Sequence, residues 1–266
     1  MTNGIAKILI ALGLLTIFFF FGAVFRDSPS LPSGDFLAPP GGKHPLGTDN
    51  IGVDVLAQVS AGFFHSILIG LAAASFAVLA GGCAGIAAGC GAGMRDTVIG
   101  FVINLFLSVP QLPVMILIGA FFGQNSGNIV LIVALFSWAP IAKVVRAATM
   151  DIRGSGYMRL AVRYGGGFVY LFVTHMFRDL MPLMVINGLF VVGRAIIMEA
   201  SLAFLGLADP TARSLGLMIN KAVSFRGIYF TDYWKWWLMS PLMTLVVTTV
   251  LLRQLAKEVE KVILRA

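Results

Sequence analysis

Arg194 and Glu199 are charges standing inside an otherwise uncharged, apolar stretch of the chain. A lone charge in hydrocarbon costs roughly 2.5–3.5 kcal/mol, so each needs a partner, water or burial in protein. Five residues of helix turn through about 500°, which leaves the two about 140° apart and badly placed to pair with each other. They point instead to other helices, a subunit interface or a water-filled pathway. Asn104 and Gln111, seven apart in another apolar stretch, are expected on one side of a helix. They would serve as interhelical hydrogen bonds or line a polar route. Asn187 completes this set of candidate pathway or helix-interface residues.

Other chemistry is hard to find. His44, His65 and His175 are scattered and fit no metal or triad spacing, and GxxxxGK[ST], HExxH, CxxC and GxSxG are absent. The glycine run at residues 165–167 follows a basic segment rather than a strand. Cys83 and Cys90 have neither His nor carboxylate nearby and read as small residues packed against a neighbouring helix. The expectation is no catalysis, no metal and no cofactor.

The elements that hold these residues are membrane-like. The 266 residues are 58% hydrophobic and 12% charged, about half the charge of an ordinary soluble surface. Residues 8–25, 66–94, 97–143, 180–207 and 236–252 are apolar stretches of membrane length. A turn at residues 123–128 splits the 97–143 block, giving six expected transmembrane helices. The first stretch exceeds a usual signal-peptide core and reads as a retained anchor.

Charge orients the chain. Six of the nineteen Lys and Arg residues lie in 143–178, a basic loop expected on the cytoplasmic side. With both termini inside, Lys7, Arg95, those six, Arg253, Lys257, Lys261 and Arg265 make twelve cytoplasmic cations. Arg26, Lys43, Arg213, Lys221, Arg226 and Lys235 make six outside. This bias explains the net charge of +7 without nucleic acid.

A Pro-, Gly- and Asp-rich outer segment follows the first span, and residues 53–65 are expected to form a short interfacial helix. The next span is dense in Gly and Ala, with Gly81, Gly85 and Gly89 on one face for close packing. Pro110 and Pro113 are expected to kink or break the third span. Tyr233, Trp234, Lys235, Trp236 and Trp237 read as a headgroup-level girdle. Residues 253–266 read as an amphipathic tail on the inner surface or a cytoplasmic partner.

Four segments resemble the second permease subunit of ATP-binding cassette importers of the dipeptide, oligopeptide and nickel family. HPLGTDNIGVDVLAQVSAG, residues 44–62, is similar to HPLGTDxxGRDVLSRxxxG, keeping Leu46, Gly47, Thr48, Asp49, Gly52 and Asp54 with Val53 in place of Arg. Phe136, Trp138, Lys143, Val145 and Arg146 look like the approach to a coupling loop. GYMRLAVRYGG stands where the family has YxEAAxxxGA. EASLAFLGL, residues 199–207, is similar to EASLSFLGLG, and Ser214, Leu215, Gly216 and Pro241 fall where expected. The departures are Arg159 and Leu160 for Glu and Ala, Phe177 and Arg178 for Leu and Pro, and residues 253–256 where Gly-Asp is usual.

The resemblance implies an all-α integral membrane protein of six transmembrane helices with the type I importer permease fold. Its parts are an N-terminal span (1–25), an outer segment (26–65) and a five-helix core (66–252). A coupling loop at about 147–179 and a cytoplasmic tail (253–266) complete the scheme. Arg153, Tyr157, Arg159, Leu160, Ala161 and Gly165 are the implied contact to cytoplasmic ATPases. The implied partners are a second permease forming a heterodimer, two ATP-binding subunits, an external solute-binding protein and the bilayer. The implied setting is a prokaryotic plasma (inner) membrane. Short peptides are the implied solute, with nickel, glutathione or small saccharides as family alternatives. A self-contained channel or carrier, or a non-transporting scaffold, are the rivals from outside the family.

Overall fold

The computed structural model describes residues 2–24, 28–91, 93–123, 125–165 and 167–263, with the side chains of Thr2, Asn3, Val162, Phe168, Val169 and Val173 excepted. It is all helical apart from loops and one isolated bridge between Thr48 and Asp54. The helices are α1 (Thr2–Val24), α2 (Val55–Cys90), α3 (Met94–Ser108), α4 (Gln111–Phe122), α5 (Ser126–Gly154) and α6 (Gly156–Arg163). After α7 (Phe168–Leu171) and a π-turn (Phe172–Met176) come α8 (Phe177–Phe204), α9 (Leu215–Ser224) and, past two 3-10 turns, α10 (Met239–Ile263).

Five helical stretches are long and apolar enough to cross a membrane: Gly4–Val24, Val55–Cys90, Ser126–Gly154, Thr174–Phe204 and Asp232–Ile263. The sixth crossing is not a straight rod. α3 and α4 meet at 88°, so together they form a broken span or re-entrant loop. Pro110 is the cause: it disfavours helix at the preceding residue, and Val109 is extended (φ −79°, ψ 130°). Pro113 then falls in the first turn of α4, where a missing N–H does no harm.

α2 is the central element, packed on α5, α8, α1, α3, α9 and α10. Its glycine face lies on α5 as expected. A Cβ on Gly81 would stand 2.6 Å from the Trp138 carbonyl, and one on Gly85 would stand 2.7 Å from that of Ala142. Backbone thus meets backbone along this seam, which maximises dispersion contacts where no hydrophobic drive operates between helices. Cys83 is exposed rather than packed, and Cys90 is half-buried.

Several expected boundaries shift. Residues 55–65 are the first turns of α2, capped by Asp54, whose Oδ1 accepts from the Ala57 amide at 2.9 Å, rather than a separate interfacial helix. At 36 residues α2 is about 54 Å long, more than the hydrocarbon layer requires. The tail is likewise continuous with α10 to Ile263, where Ala256 is fully buried; Arg26 and Arg265 lie outside the described residues. The girdle is partly core. Trp237 is 2% exposed and packs with Phe63, Met218 and Ile228, while Trp234 is exposed. Gly4 of α1 abuts the Glu258 carboxylate of α10, so the first turn of α1 lies beside the last turns of α10.

Candidate functional site

At one end of the bundle, α5 runs on to Gly154, so the expected loop at 147–179 begins as helix. Arg153 belongs to this last turn. Its Nη1 donates to the carbonyls of Gly89 (2.8 Å) and Gly91 (3.3 Å), a cation braced on the C-terminal end of α2. The short α6 follows. Met158, 3% exposed, is its anchor, packed in one cluster with Leu171, Met176 and Leu180. Ala161 is half-buried. Tyr157 donates its hydroxyl to Asp179 Oδ2 at 2.8 Å. Burial and this carboxylate push the phenol above its ordinary range.

The other face of α6 is open. Arg159, Leu160, Arg163 and Tyr164 are exposed, Tyr164 to 89%. Gly165 has φ +85° and open space where a Cβ would stand, so its role is to turn the chain after α6. Close by, Arg146 of α5 grips Asp96 of α3 through Nε (2.5 Å) and Nη2 (2.8 Å), a pair not foreseen from the sequence.

At the opposite end, the outer motif is a hydrogen-bonded knot. Asp49 Oδ1 accepts from the amides of Ile51 and Val53 (both 2.9 Å), and its Oδ2 from Gln58 Nε2 at 2.7 Å. The Thr48 hydroxyl donates to the Asp35 carbonyl (2.6 Å) and accepts from the Ala38 amide (2.8 Å). His44 Nδ1 lies 2.8 Å from Asp54 Oδ2. Gly47 adopts φ +68°, and a Cβ there would stand 2.5 Å from the Ala38 carbonyl and 2.7 Å from the Trp236 ring. Gly52, at φ +81°, is the second left-handed corner. Leu46 packs on the Trp237 cluster. These six motif residues are brought together, and their polar groups are spent inside the knot. Beside it opens a cleft lined by Asp49, Gln58, Arg213, Ser214 and Lys221 among others.

Between these ends lie the membrane-depth polar residues, which the structure separates. Glu199 is completely buried, and its Oε2 accepts from the Ser66 hydroxyl of α2 at 3.0 Å. Ser214, the N-cap of α9, also turns its hydroxyl toward this carboxyl, while Oε1 makes no hydrogen bond of ordinary geometry among the described residues. Gly216 sits directly on the Ala200 carbonyl, with no room for a side chain. Glu199 therefore ties α8, α2 and the start of α9 together. A self-contained carrier would need this carboxylate to meet a travelling ion, and its burial removes that support.

Asn104 and Gln111 do not share a helix side, because the break at Val109 and Pro110 falls between them. Asn104 is exposed. Gln111 Nε2 donates to the Phe136 carbonyl of α5 at 3.4 Å. That carbonyl is four residues before Pro140, which has no N–H to offer it. Asn187 Nδ2 returns to the Leu183 carbonyl of its own helix at 2.8 Å. Arg194 is exposed on α8.

The comparisons agree with this architecture. Residues 81–257 match the family described as "Binding-protein-dependent transport system inner membrane component". The chain is 33% identical over 217 residues to the oligopeptide transport system permease protein OppC of Mycobacterium tuberculosis, covering 77% of this chain and 74% of that one. It is 27% identical over 246 residues to the probable D,D-dipeptide transport system permease protein DdpC of Escherichia coli K12, covering 92% and 81%. A putative peptide permease protein of Brucella suis is 27% identical over 198 residues, covering 74% and 65%. With two thirds of its length inside the family match and apolar helices to span the bilayer, the chain belongs to the binding-protein-dependent inner membrane components, transport subunits that work with partner ATPases and permeases.

Proposed function

We propose that this chain is one of two permease subunits of an ATP-driven peptide importer, forming half of the translocation route. The observation that carries the proposal is the half-anchored α6. One face is locked by Met158 and Tyr157, while Leu160, Arg159, Arg163 and Tyr164 stand free at the end of the bundle. A ligand shifts a conformational equilibrium only by binding one state better, so an ATPase can move the bundle only through such a firm contact. Two ATP-binding subunits dock there, on the cytoplasmic side. The excess of cations at this end and the adjacency of Gly4 to Glu258 support both termini lying inside. An external solute-binding protein delivers peptide beside the outer knot and its cleft. Peptides are favoured as solute because the relatives above are named for peptide or dipeptide transport.

The test is co-expression with the second permease and ATP-binding subunits, purification, and peptide uptake into proteoliposomes. The intact complex should take up peptide only with ATP and binding protein. Leu160→Ala with Tyr164→Ala should lower uptake several-fold and release the ATPases during purification. ATP-independent uptake by the chain alone, or full coupling in the double variant, would refute the reading.

A further inference from the structure

Arg194 poses a problem that the fold leaves open. It lies ten residues before Phe204, the end of α8, and so about 15 Å along the helix from that end. α8 is about 42 Å long against about 30 Å of hydrocarbon, so with the helix centred in the bilayer Arg194 lies about 10 Å inside the hydrocarbon edge. Its guanidinium is exposed, and among the described residues no hydrogen bond or ion pair reaches it. Glu199, the nearest carboxylate along α8, is sealed against Ser66 about 140° round the helix.

The face that carries Arg194 is mixed, with Phe190 and the exposed Ile197 between recurring polar residues. Asn187 and Ser201 lie one heptad to either side, on the same stripe to within a small drift. Both are self-satisfied, bonding back to Leu183 and Ile197 of their own helix, so neither asks for a protein partner. A water-compatible group thus recurs every second turn over about 21 Å, with an unspent cation at the centre. Lipid does not suit the cation, and among the described residues Arg194 stays exposed.

We propose that this stripe of α8 lines the wetted route and that Arg194 binds the carboxylate of the passing solute, the C-terminus of a peptide. The inference rests on the peptide-importer reading above. A planar, permanently charged fork holds a carboxylate through two hydrogen bonds, and in a low-dielectric wall that contact discriminates strongly against a neutral end. A membrane-depth cation also offsets the loss of water around the solute's own charge.

The test uses the full complex in liposomes. With Cys83→Ser and Cys90→Ser in place, Arg194→Cys should react with a membrane-impermeant charged thiosulfonate. An unreactive thiol overturns the proposal. Uptake of a tripeptide is then compared with uptake of its C-terminal amide. The preference of the native complex for the free acid should fall at least tenfold in Arg194→Gln and only in part in Arg194→Lys, which keeps the charge but not the fork. Equal loss for acid and amide, or an unchanged preference, overturns the carboxylate role. So does failure of both variants to hold the second permease, which would assign the cation to a carboxylate of that subunit. If the native complex moves neither peptide, the peptide reading fails. Thiol labelling then decides alone: a reactive thiol upholds the wetted stripe, an unreactive one overturns it.

Discussion

Arg146 holds Asp96 through two nearly parallel hydrogen bonds, tying the middle of α5 to the first turn of α3. The pair is only partly shielded, at 31% and 21% side-chain exposure. Its value is therefore moderate, and it fixes where the chain re-enters the bundle after α2. A double-mutant cycle of Asp96→Asn and Arg146→Gln, read by thermal unfolding in detergent, should give a favourable coupling that weakens as salt is raised. A coupling near zero would show the pair to be ornamental.

Gln111 and Pro140 form a second relationship across α4 and α5. Proline leaves the Phe136 carbonyl without its helical donor, and the Gln111 amide supplies one. Gln111→Leu is expected to cost about 1 kcal/mol. The same change in a Pro140→Ala background should cost much less, because an alanine in place of the proline brings back the helical N–H. Equal costs in both backgrounds would argue that Gln111 acts elsewhere.

Two glycines, Gly85 in the seam between α2 and α5 and Gly13 on α1, should respond to alanine in opposite ways. Gly85→Ala places a methyl 2.8 Å from Val145 Cβ and should lose about 1–3 kcal/mol. Gly13→Ala, with nothing within 4 Å of the new Cβ, should be neutral or slightly stabilising. Melting temperatures of the two variants, measured side by side, settle the comparison.

Glu199 is best tested by shape against charge. Glu199→Gln keeps volume and an acceptor for Ser66 and should assemble normally. Glu199→Ala opens a cavity and strands the Ser66 hydroxyl, an expected loss of about 2–4 kcal/mol. If transport by Glu199→Gln collapses while its stability holds, the carboxylate has a role in the route after all.

In the outer knot, Gly47→Ala puts a side chain into the Ala38 carbonyl at a left-handed φ. Limited proteolysis should then cut within residues 28–54, a segment whose hydrogen-bonded turns should protect it from the same protease in the native protein.

Most of the membrane architecture is legible in the chain. Long uncharged runs give α1, α2, α5, α8 and α10, and the four-residue glycine repeat correctly foretells the α5 seam. Proline places the break between α3 and α4, but an 88° turn depends on where both halves can pack, which no local pattern encodes. The reading of Asn104 and Gln111 as one face failed for that reason. Continuity was missed at 55–65 and 253–263, because polar composition marks the water boundary and not the end of a helix. The knot around Asp49, the Arg146 and Asp96 pair and the Ser66 contact to Glu199 join residues 2 to 133 positions apart; spacing alone carries no trace of the longer of these. Arg159 and Leu160 stand exposed and Gly165 turns the chain after α6, and the docking experiment decides whether they meet an ATPase.

The unbroken length of α2 has a mechanical consequence. The knot grips one tip and the Arg153 guanidinium the other, and near the midpoint Gly70 is close-packed on Val192 and Ile196 of α8 as a fulcrum. When a beam of about 54 Å tilts by only about 5°, its two tips shift by roughly 5 Å relative to each other, in opposite directions. A nudge at one mouth of the protein therefore arrives at the far mouth reversed and undiminished, with no joint along the way to absorb it.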